Sequence, residues 1–530
     1  MQPAPFENEL TLTHHRNEGT EADFHRAYEH AVEQVRAELG DSHPLVIDGE
    51  RIETEDSFSV WNPGRLEEEI GTFAAGTDEH VDRAVAAARD AFDEWRSDWE
   101  FRVEIFREAA EIVRDRKFDL AATMTLENGK NREEAVADVD EAIDFLRFYA
   151  REVERNQGYE YDTGAPTMGE STTNLRRPYG VFAVVSPFNF PMAILTGMTT
   201  GALITGNTAV VKPASATPLI AHKFLDVLEE AGLPDGVLNL VTGGGRDVGQ
   251  PLIEHEDVEG VAFTGSREVG RDIQRTFFEQ GKHGPVIAEL GGKNPVIVSE
   301  AADLDKAVQG VKMGAFSFSG QKCSATSRVY VHESHFEEFV DRLVTETEAL
   351  AVGPPEETET IVSPIIDSSA MDRYEQITER ADADGTIRTG GNRVQDDSVP
   401  DGRYVEPTVV TDVPHDHDLA TEEHFLPFVT IHPYSDFDAA VRMANDSDFG
   451  LCAGLFSESE DEVEDWLDRV ESGMCYVNRE RSATTGAIVQ AQPFGGWKFS
   501  GTSGNFAGGY WYLPQFMREQ SRTVVGDINR

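Results

Sequence analysis

The chain has 530 residues, too many for one ordinary hydrophobic core, so two or three units that each bury a large apolar interior are expected. Its 46 Lys+Arg face 97 Asp+Glu, a formal net charge of −51, and the acids are spread along the whole length rather than gathered into a tail. Such a polyanion repels phosphate backbones and offers anionic lipid no basic amphipathic stretch, which excludes general nucleic-acid binding and membrane-surface attachment.

With arginines outnumbering lysines and Asp/Glu crowding the helix surfaces, the composition is that expected of a halophilic protein, because concentrated salt screens self-repulsion. Three widely spaced cysteines, and a start (Met1-Gln2-Pro3-Ala4-Pro5-Phe6) without basic or apolar leader features, predict a reducing, cytoplasmic setting. The most apolar region, Val181 to Thr205, is interrupted by Pro187, Asn189 and Pro191, so it predicts a buried strand and turn rather than a membrane span.

In chain order, apolar residues at three- and four-residue spacing predict helices over Asp78 to Asp98, Phe101 to Gly129 and Arg132 to Arg155. The following stretch, Gln157 to Arg176, loses that period and predicts an extended hairpin. Short β-branched runs then alternate with helices: strands at 180–185, 208–212, 237–242, 260–264 and 285–289, and helices at 218–231 and 248–255. That alternation specifies parallel βαβ units with both faces covered. A second alternating stretch has strands at 328–331 and 408–412 and helices at 335–351, 368–384 and 436–445. The tail from Gly501 ends in a β-like run, Arg522-Thr523-Val524-Val525. The fold class is therefore α/β.

Five short segments, each near the end of a predicted strand or helix where open α/β sheets bind ligands, are candidates for chemistry. Phe318-Ser319-Gly320-Gln321-Lys322-Cys323-Ser324-Ala325 carries a cysteine among small residues, whereas Cys452 and Cys475 lie in apolar or strand-like surroundings. Ser186-Pro187-Phe188-Asn189-Phe190-Pro191 is a turn fixed by two prolines that can aim one amide outward. Val210-Val211-Lys212-Pro213-Ala214-Ser215 puts a lysine at a strand end. Phe263-Thr264-Gly265-Ser266-Arg267-Glu268-Val269-Gly270 runs a strand into a helix whose N-terminal amides suit a pyrophosphate, without the usual Gly-x-Gly-x-x-Gly spacing. Ala288-Glu289-Leu290-Gly291-Gly292-Lys293-Asn294-Pro295 places a carboxylate in an apolar niche, where its raised pKa suits a base. Each segment taken alone has an ordinary structural reading, as a packing cysteine, a plain turn or a surface acid.

Their joint order and spacing resemble the aldehyde dehydrogenase superfamily from about residue 45 to the C-terminus. The resemblance implies a Rossmann-like NAD-binding domain (1–157 and 177–290), an α/β catalytic domain (291–490) and a β oligomerisation flap (158–176 and 505–525). It makes Cys323 the nucleophile, Glu289 the base that activates water, and Asn189, with the Cys323 backbone N–H, the oxyanion donor. The implied cofactor contacts are Ser186, Pro187, Phe188, Lys212, Ser215, Gly265, Ser266, Gly270, Leu290, Glu423 and Phe425. In Glu422-Glu423-His424-Phe425-Leu426-Pro427, Leu426 stands where the family usually has glycine, which leaves the turn geometry open. NAD is the implied cofactor, with NADP left open because Ser215 replaces an acid that would repel a 2′-phosphate. No metal is expected.

Gly320-Gln321-Lys322-Cys323-Ser324-Ala325, Thr485-Gly486-Ala487-Ile488-Val489, Gln492-Pro493-Phe494-Gly495-Gly496-Trp497-Lys498 and the segment Glu134 to Phe145 resemble the 1-pyrroline-5-carboxylate branch, which oxidises L-glutamate γ-semialdehyde to L-glutamate. That implies substrate contacts at Glu134, Phe190, Ser324, Gly486, Ala487 and Phe494. Succinate or 2-oxoglutarate semialdehyde is the alternative substrate, and a non-catalytic paralogue the remote one. A homodimer or dimer-based oligomer is implied.

Overall fold

The computed structural model describes residues 5–395, 398–480 and 488–526. Two seven-stranded sheets organise the molecule. The first runs Val286–Glu289, Val258–Thr264, Val181–Val185, Thr208–Lys212, Leu238–Leu240, Leu45–Ile47, Glu50–Ile52, with the first five strands parallel and the last two antiparallel. Its central strands are fully buried runs such as Thr208–Lys212, as expected where helices cover both faces. From Val181–Val185 the chain builds outward through Thr208–Lys212 and then crosses back to lay Val258–Thr264 on the other side. The crevice at the ends of these strands is a topological switch point.

The second sheet runs Thr386–Thr389, Thr408–Thr411, Phe428–Tyr434, Thr326–His332, Asn294–Val298, Cys452–Phe456, Met474–Val477, parallel except at its first pair. The junction between the sheets is short. Glu289 ends a strand of the first sheet and Asn294 begins one of the second, while Cys323 lies just before the second sheet's Thr326–His332. The carboxyl-terminal edge of one sheet therefore faces the amino-terminal edge of the other, and both candidate chemical groups sit on that seam.

A third, antiparallel sheet joins Glu160–Gly164, Glu170–Pro178 and Met517–Val525, with Arg518 opposite Arg177 and Val525 opposite Glu170. Of the tail's described residues, only Met517–Val525 joins this sheet. The preceding residues turn inward: Tyr512, Leu513 and Phe516 join the largest apolar core, and Phe494 and Ala507 exchange backbone hydrogen bonds of 2.9 and 2.8 Å.

The helix expected over Phe101 to Gly129 is two helices, Trp99–Asp115 and Lys117–Asn128, broken at Arg116 (φ −98°, ψ 13°). Two helices not foreseen, Thr11–Glu18 and Glu21–Ala37, pack near the start of the chain. Among the described residues no helix is long and apolar enough to cross a membrane.

Candidate active site

The cysteine loop is held under backbone constraint. Phe318, Ser319 and Gly320 have φ of 50°, 53° and 65°, three successive residues in the left-handed region. What holds them there is a set of hydrogen bonds. Gln321 is buried; its Oε1 accepts from Ile366 N at 2.9 Å and its Nε2 donates to Pro364 O at 3.3 Å. Asn294 Nδ2 donates to Cys323 O at 2.7 Å and to Ala325 O at 2.8 Å, while its Oδ1 accepts from Cys452 N at 3.0 Å. A Cβ on Gly292 would lie 2.4 Å from Cys323 O, so the glycine lets the crossover press against the loop.

Cys323 opens into an apolar chamber of about 580 Å³, counting its mouth, whose walls include Phe190, Met198, Thr264, Glu289, Phe494 and Tyr512. Burial pushes the thiol well above its usual range, reinforced by the carboxyls of Glu423 and Glu289, and the backbone N–H groups of Ser324 and Cys323 act in the opposite sense. The Glu289 carboxyl is raised well above the usual carboxylate range, again by burial, against one hydrogen bond from the Gly496 backbone N–H. Its Oε2 has no hydrogen-bond partner among the described residues. A neutral thiol and a carboxyl with one free oxygen thus line the same apolar space, where the carboxylate that forms as pH rises can take a proton from water.

Asn189 is buried, and its amide makes no hydrogen bond to another described residue. Phe188 is fixed on both sides: its carbonyl accepts from Asn128 Nδ2 at 2.9 Å, and its ring meets Phe425 edge-on at 5.8 Å between centroids. Phe425 itself has φ of 59°. Leu426 sits in a tight turn, with Phe428 N donating to Leu426 O at 2.7 Å and the leucine side chain buried in an apolar cluster. Glu423 Oε1 accepts from Gly292 N at 2.9 Å, and burial pushes this carboxyl up to about 7. A Cβ at Gly291 would lie 2.0 Å from Glu423 Oε2, so only glycine leaves the carboxylate that place.

The mouth is wider and charged. A vestibule bounded by Glu134, Glu141, Lys322, Ile488 and the N-terminal residues near Glu9 meets the chamber at Phe190 and Ser324. Lys322 Nζ and Glu134 Oε1 are 2.6 Å apart. Below them, fully buried Lys130 pairs with Asp138 at 2.6 Å and sits 3.5 Å over the Phe190 ring. Asp138 also accepts from Ala193 N at 2.6 Å. Sequence reading identified Glu134 and Phe190 but missed Lys130 and Asp138, whose eight-residue separation within an acidic helical stretch looks like ordinary surface charge. Lys130→Met is expected to cost about 3–5 kcal/mol, by leaving Asp138 buried without its cation. Chemical unfolding of that variant and of Lys130→Met/Asp138→Leu checks this, the double variant recovering most of the loss.

The model of the aldehyde dehydrogenase family matches residues 51–521. The chain belongs to the aldehyde dehydrogenase family. A relative from Geobacillus thermodenitrificans, named 1-pyrroline-5-carboxylate dehydrogenase, is 42% identical over 94% of this chain and 96% of its own length. One of the same type from Halalkalibacterium halodurans is 39% identical over 94% and 96%. The solved structure of 1-pyrroline-5-carboxylate dehydrogenase from Thermus with bound NAD superposes with a TM-score of 0.92 at 36% identity, covering 99% of this chain and all of that one. Betaine aldehyde dehydrogenase from Staphylococcus aureus in complex with NAD+ gives a TM-score of 0.88 at 29% identity, over 95% and 98%.

This aldehyde dehydrogenase has a cleft that fits a dinucleotide. Lys212 is buried, donates only to its neighbour Pro213 O at 3.0 Å, and has no carboxylate partner among the described residues. Burial lowers its ammonium to about 8. A buried cation without a counter-ion, facing a cleft lined by Gly245, Gly249, Phe263 and Val269, suits ribose hydroxyls. Beside it the helix Arg267–Glu279 presents its N-terminus, capped by Ser266 Oγ accepting from Val269 N at 3.4 Å. Gly265 and Gly270 are packed so tightly that a Cβ would lie 2.6 Å from Phe263 and 2.4 Å from Leu290. Ser186 N donates to Lys212 O at 3.3 Å, tying Ser186-Pro187 to the same edge. Exposed Ser215 donates to Gly243 O at 3.1 Å. The expected anchors Gly486 and Ala487 lie outside the described residues.

Proposed function

We propose that the chain oxidises L-glutamate γ-semialdehyde, the open form of 1-pyrroline-5-carboxylate, to L-glutamate with NAD, a step of proline catabolism. The observation that carries this reading is identity near 40%, over nearly the full length of both chains, to enzymes named for that substrate. The mouth supports it: Ser324 and Lys322 offer polar contacts to an acidic substrate beside the aromatic walls Phe190 and Phe494.

Cys323 sulfur adds to the aldehyde carbon, and the thiol proton ends on the former carbonyl oxygen, giving a thiohemiacetal. The oxygen of the resulting thiohemiacetal faces Asn189 and the Cys323 N–H. Lys212, Gly265, Ser266 and Glu423 would hold NAD, which when bound would supply the hydride acceptor. Loss of the hydride and release of the hydroxyl proton to solvent leave a thioester on Cys323; the Glu289 carboxylate takes a proton from the water that attacks it and returns that proton to the departing sulfur, freeing the acid and restoring the thiol. One aldehyde and one water thus yield one carboxylic acid, one hydride and one proton.

The test is NADH formation in molar salt with 1-pyrroline-5-carboxylate beside succinate semialdehyde and propanal. A kcat/KM at least about tenfold higher for the pyrroline substrate is expected, equivalent to about 1.4 kcal/mol. Preference for either competitor refutes the substrate assignment. The acid excess supports a halophilic, cytoplasmic enzyme, and the three-stranded flap supports assembly as a homodimer or an oligomer of dimers. A monomer by light scattering in high salt would contradict that assembly.

A further inference from the structure

At the base of the flap the general charge pattern reverses. Two adjoining clefts gather Arg96, Arg102, Arg176, Arg177, Arg518 and Arg522, against the three acids Asp93, Glu160 and Glu519. In a chain with 97 Asp+Glu for 46 Lys+Arg, carboxylates are abundant enough to pair every cation, yet several of these arginines lack one. Asp93 is taken by Arg96 at 2.8 Å, and Glu519 Oε1 accepts from Asn174 Nδ2 at 2.5 Å. Arg176, Arg177, Arg518 and Arg522 form no ion pair among the described residues. Arg522 Nε donates only to Gln520 Oε1 at 2.9 Å, and Arg518 stacks on Tyr179 at 5.5 Å. Burial, then crowding by Arg96, Arg522 and Arg518, lowers the Arg177 pKa, with Glu160 acting in the opposite sense, so like charges outweigh the acids around it.

A second observation is independent of charge. Tyr159 lines the same cleft and is 5% exposed, and its hydroxyl has no hydrogen-bond partner among the described residues. Its backbone is constrained to put it there: Gln157, Gly158 and Tyr159 have φ of 50°, 64° and 60°. Burial keeps the phenol protonated, hence a donor. Buried Arg102 forms the floor, fixed by donation from Nε to Ile204 O at 2.9 Å and from Nη1 to Trp95 O at 2.8 Å. An unmet donor and converging guanidinium groups call for one ligand with several negatively charged acceptor oxygens.

We propose that this cleft binds a small multivalent oxyanion of the phosphate class, which clamps the flap strands to the Trp95 to Arg102 corner of the body. Inorganic phosphate is the probe, titrated calorimetrically into the full-length enzyme at ionic strength held constant with potassium chloride. NAD is present at saturation so that the cofactor cleft is filled. Saturable binding of one phosphate per chain is expected, weakened at least about tenfold in Arg177→Gln/Arg522→Gln and roughly fivefold in Tyr159→Phe. Aldehyde oxidation is expected to stay within about twofold of wild type, since these residues are remote from the chamber. Tyr159→Phe removes one oxygen and serves if the double variant does not fold. Absence of saturable binding, or binding equal in wild type and variants, overturns the proposal. So does a change of assembly state in the arginine variant without any phosphate binding in the wild type, because the cluster then meets the acidic surface of a second copy.

Discussion

With Glu289 replaced by glutamine, the enzyme will produce NADH in a single fast burst and then stall. Glutamine keeps the shape that accepts the Gly496 N–H but cannot take a proton from water, so the thioester on Cys323 accumulates. Steady-state kcat is expected to fall roughly 10²–10⁴-fold, the usual contribution of a positioned general base. The pH profile supplies a second readout. Because burial raises this carboxyl, its protonated form persists well above the usual carboxylate range, and the active carboxylate appears only as pH rises through that raised pKa. Wild-type kcat should therefore increase with pH along a limb that the glutamine variant lacks. An unchanged limb in the variant would assign the base to another group. Rapid-mixing kinetics at several pH values, with mass spectrometry of the quenched protein to detect the acyl adduct, decides the matter.

Replacing Cys323 by alanine should remove turnover altogether. Losing a covalent nucleophile costs on the order of 10⁴-fold or more, about 5.4 kcal/mol at 1.36 kcal/mol per decade. NAD affinity should hardly change, because Lys212 and the helix Arg267–Glu279 lie on the other side of the seam. Calorimetric titration of NAD into the variant, beside its turnover with 1-pyrroline-5-carboxylate, separates these effects. Residual cysteine-free activity within about tenfold of wild type would refute covalent catalysis at this residue.

Elements with strong end signals were legible in the sequence. The helix Arg132–Arg155 begins where expected because Asn131 caps it, accepting from Glu134 N at 3.0 Å, and Ser368–Asp384 begins after Asp367, which accepts from Ala370 N at 2.7 Å. Thr208–Lys212 ends at a proline. Less legible were elements without such punctuation. The polar helix Thr11–Glu18 has almost no apolar stripe, and Cys452–Phe456 is a uniformly buried run without alternation. At the site, Cys323, Glu289 and Lys212 each had an ordinary reading alone, and only the joint order and spacing of their segments singled them out. Tyr512, Thr264 and Asn294 carried no such mark. They matter through contacts spanning up to hundreds of residues, and a tyrosine or threonine that becomes a wall only after folding leaves no local signature.

Cys323 and Glu289, the proposed nucleophile and base, are anchored by strand ends facing each other across a four-residue crossover, Leu290 to Lys293, while the mouth is assembled from the turn after Val181–Val185, the helix Arg132–Arg155 and the C-terminal chain. Reaction and recognition are thus carried by separately replaceable parts. Mutational drift in the mouth can exchange one aldehyde for another without disturbing Cys323 and Glu289. In such an architecture new substrates are within reach by small evolutionary steps, whereas new chemistry would require rebuilding the junction on which both halves depend.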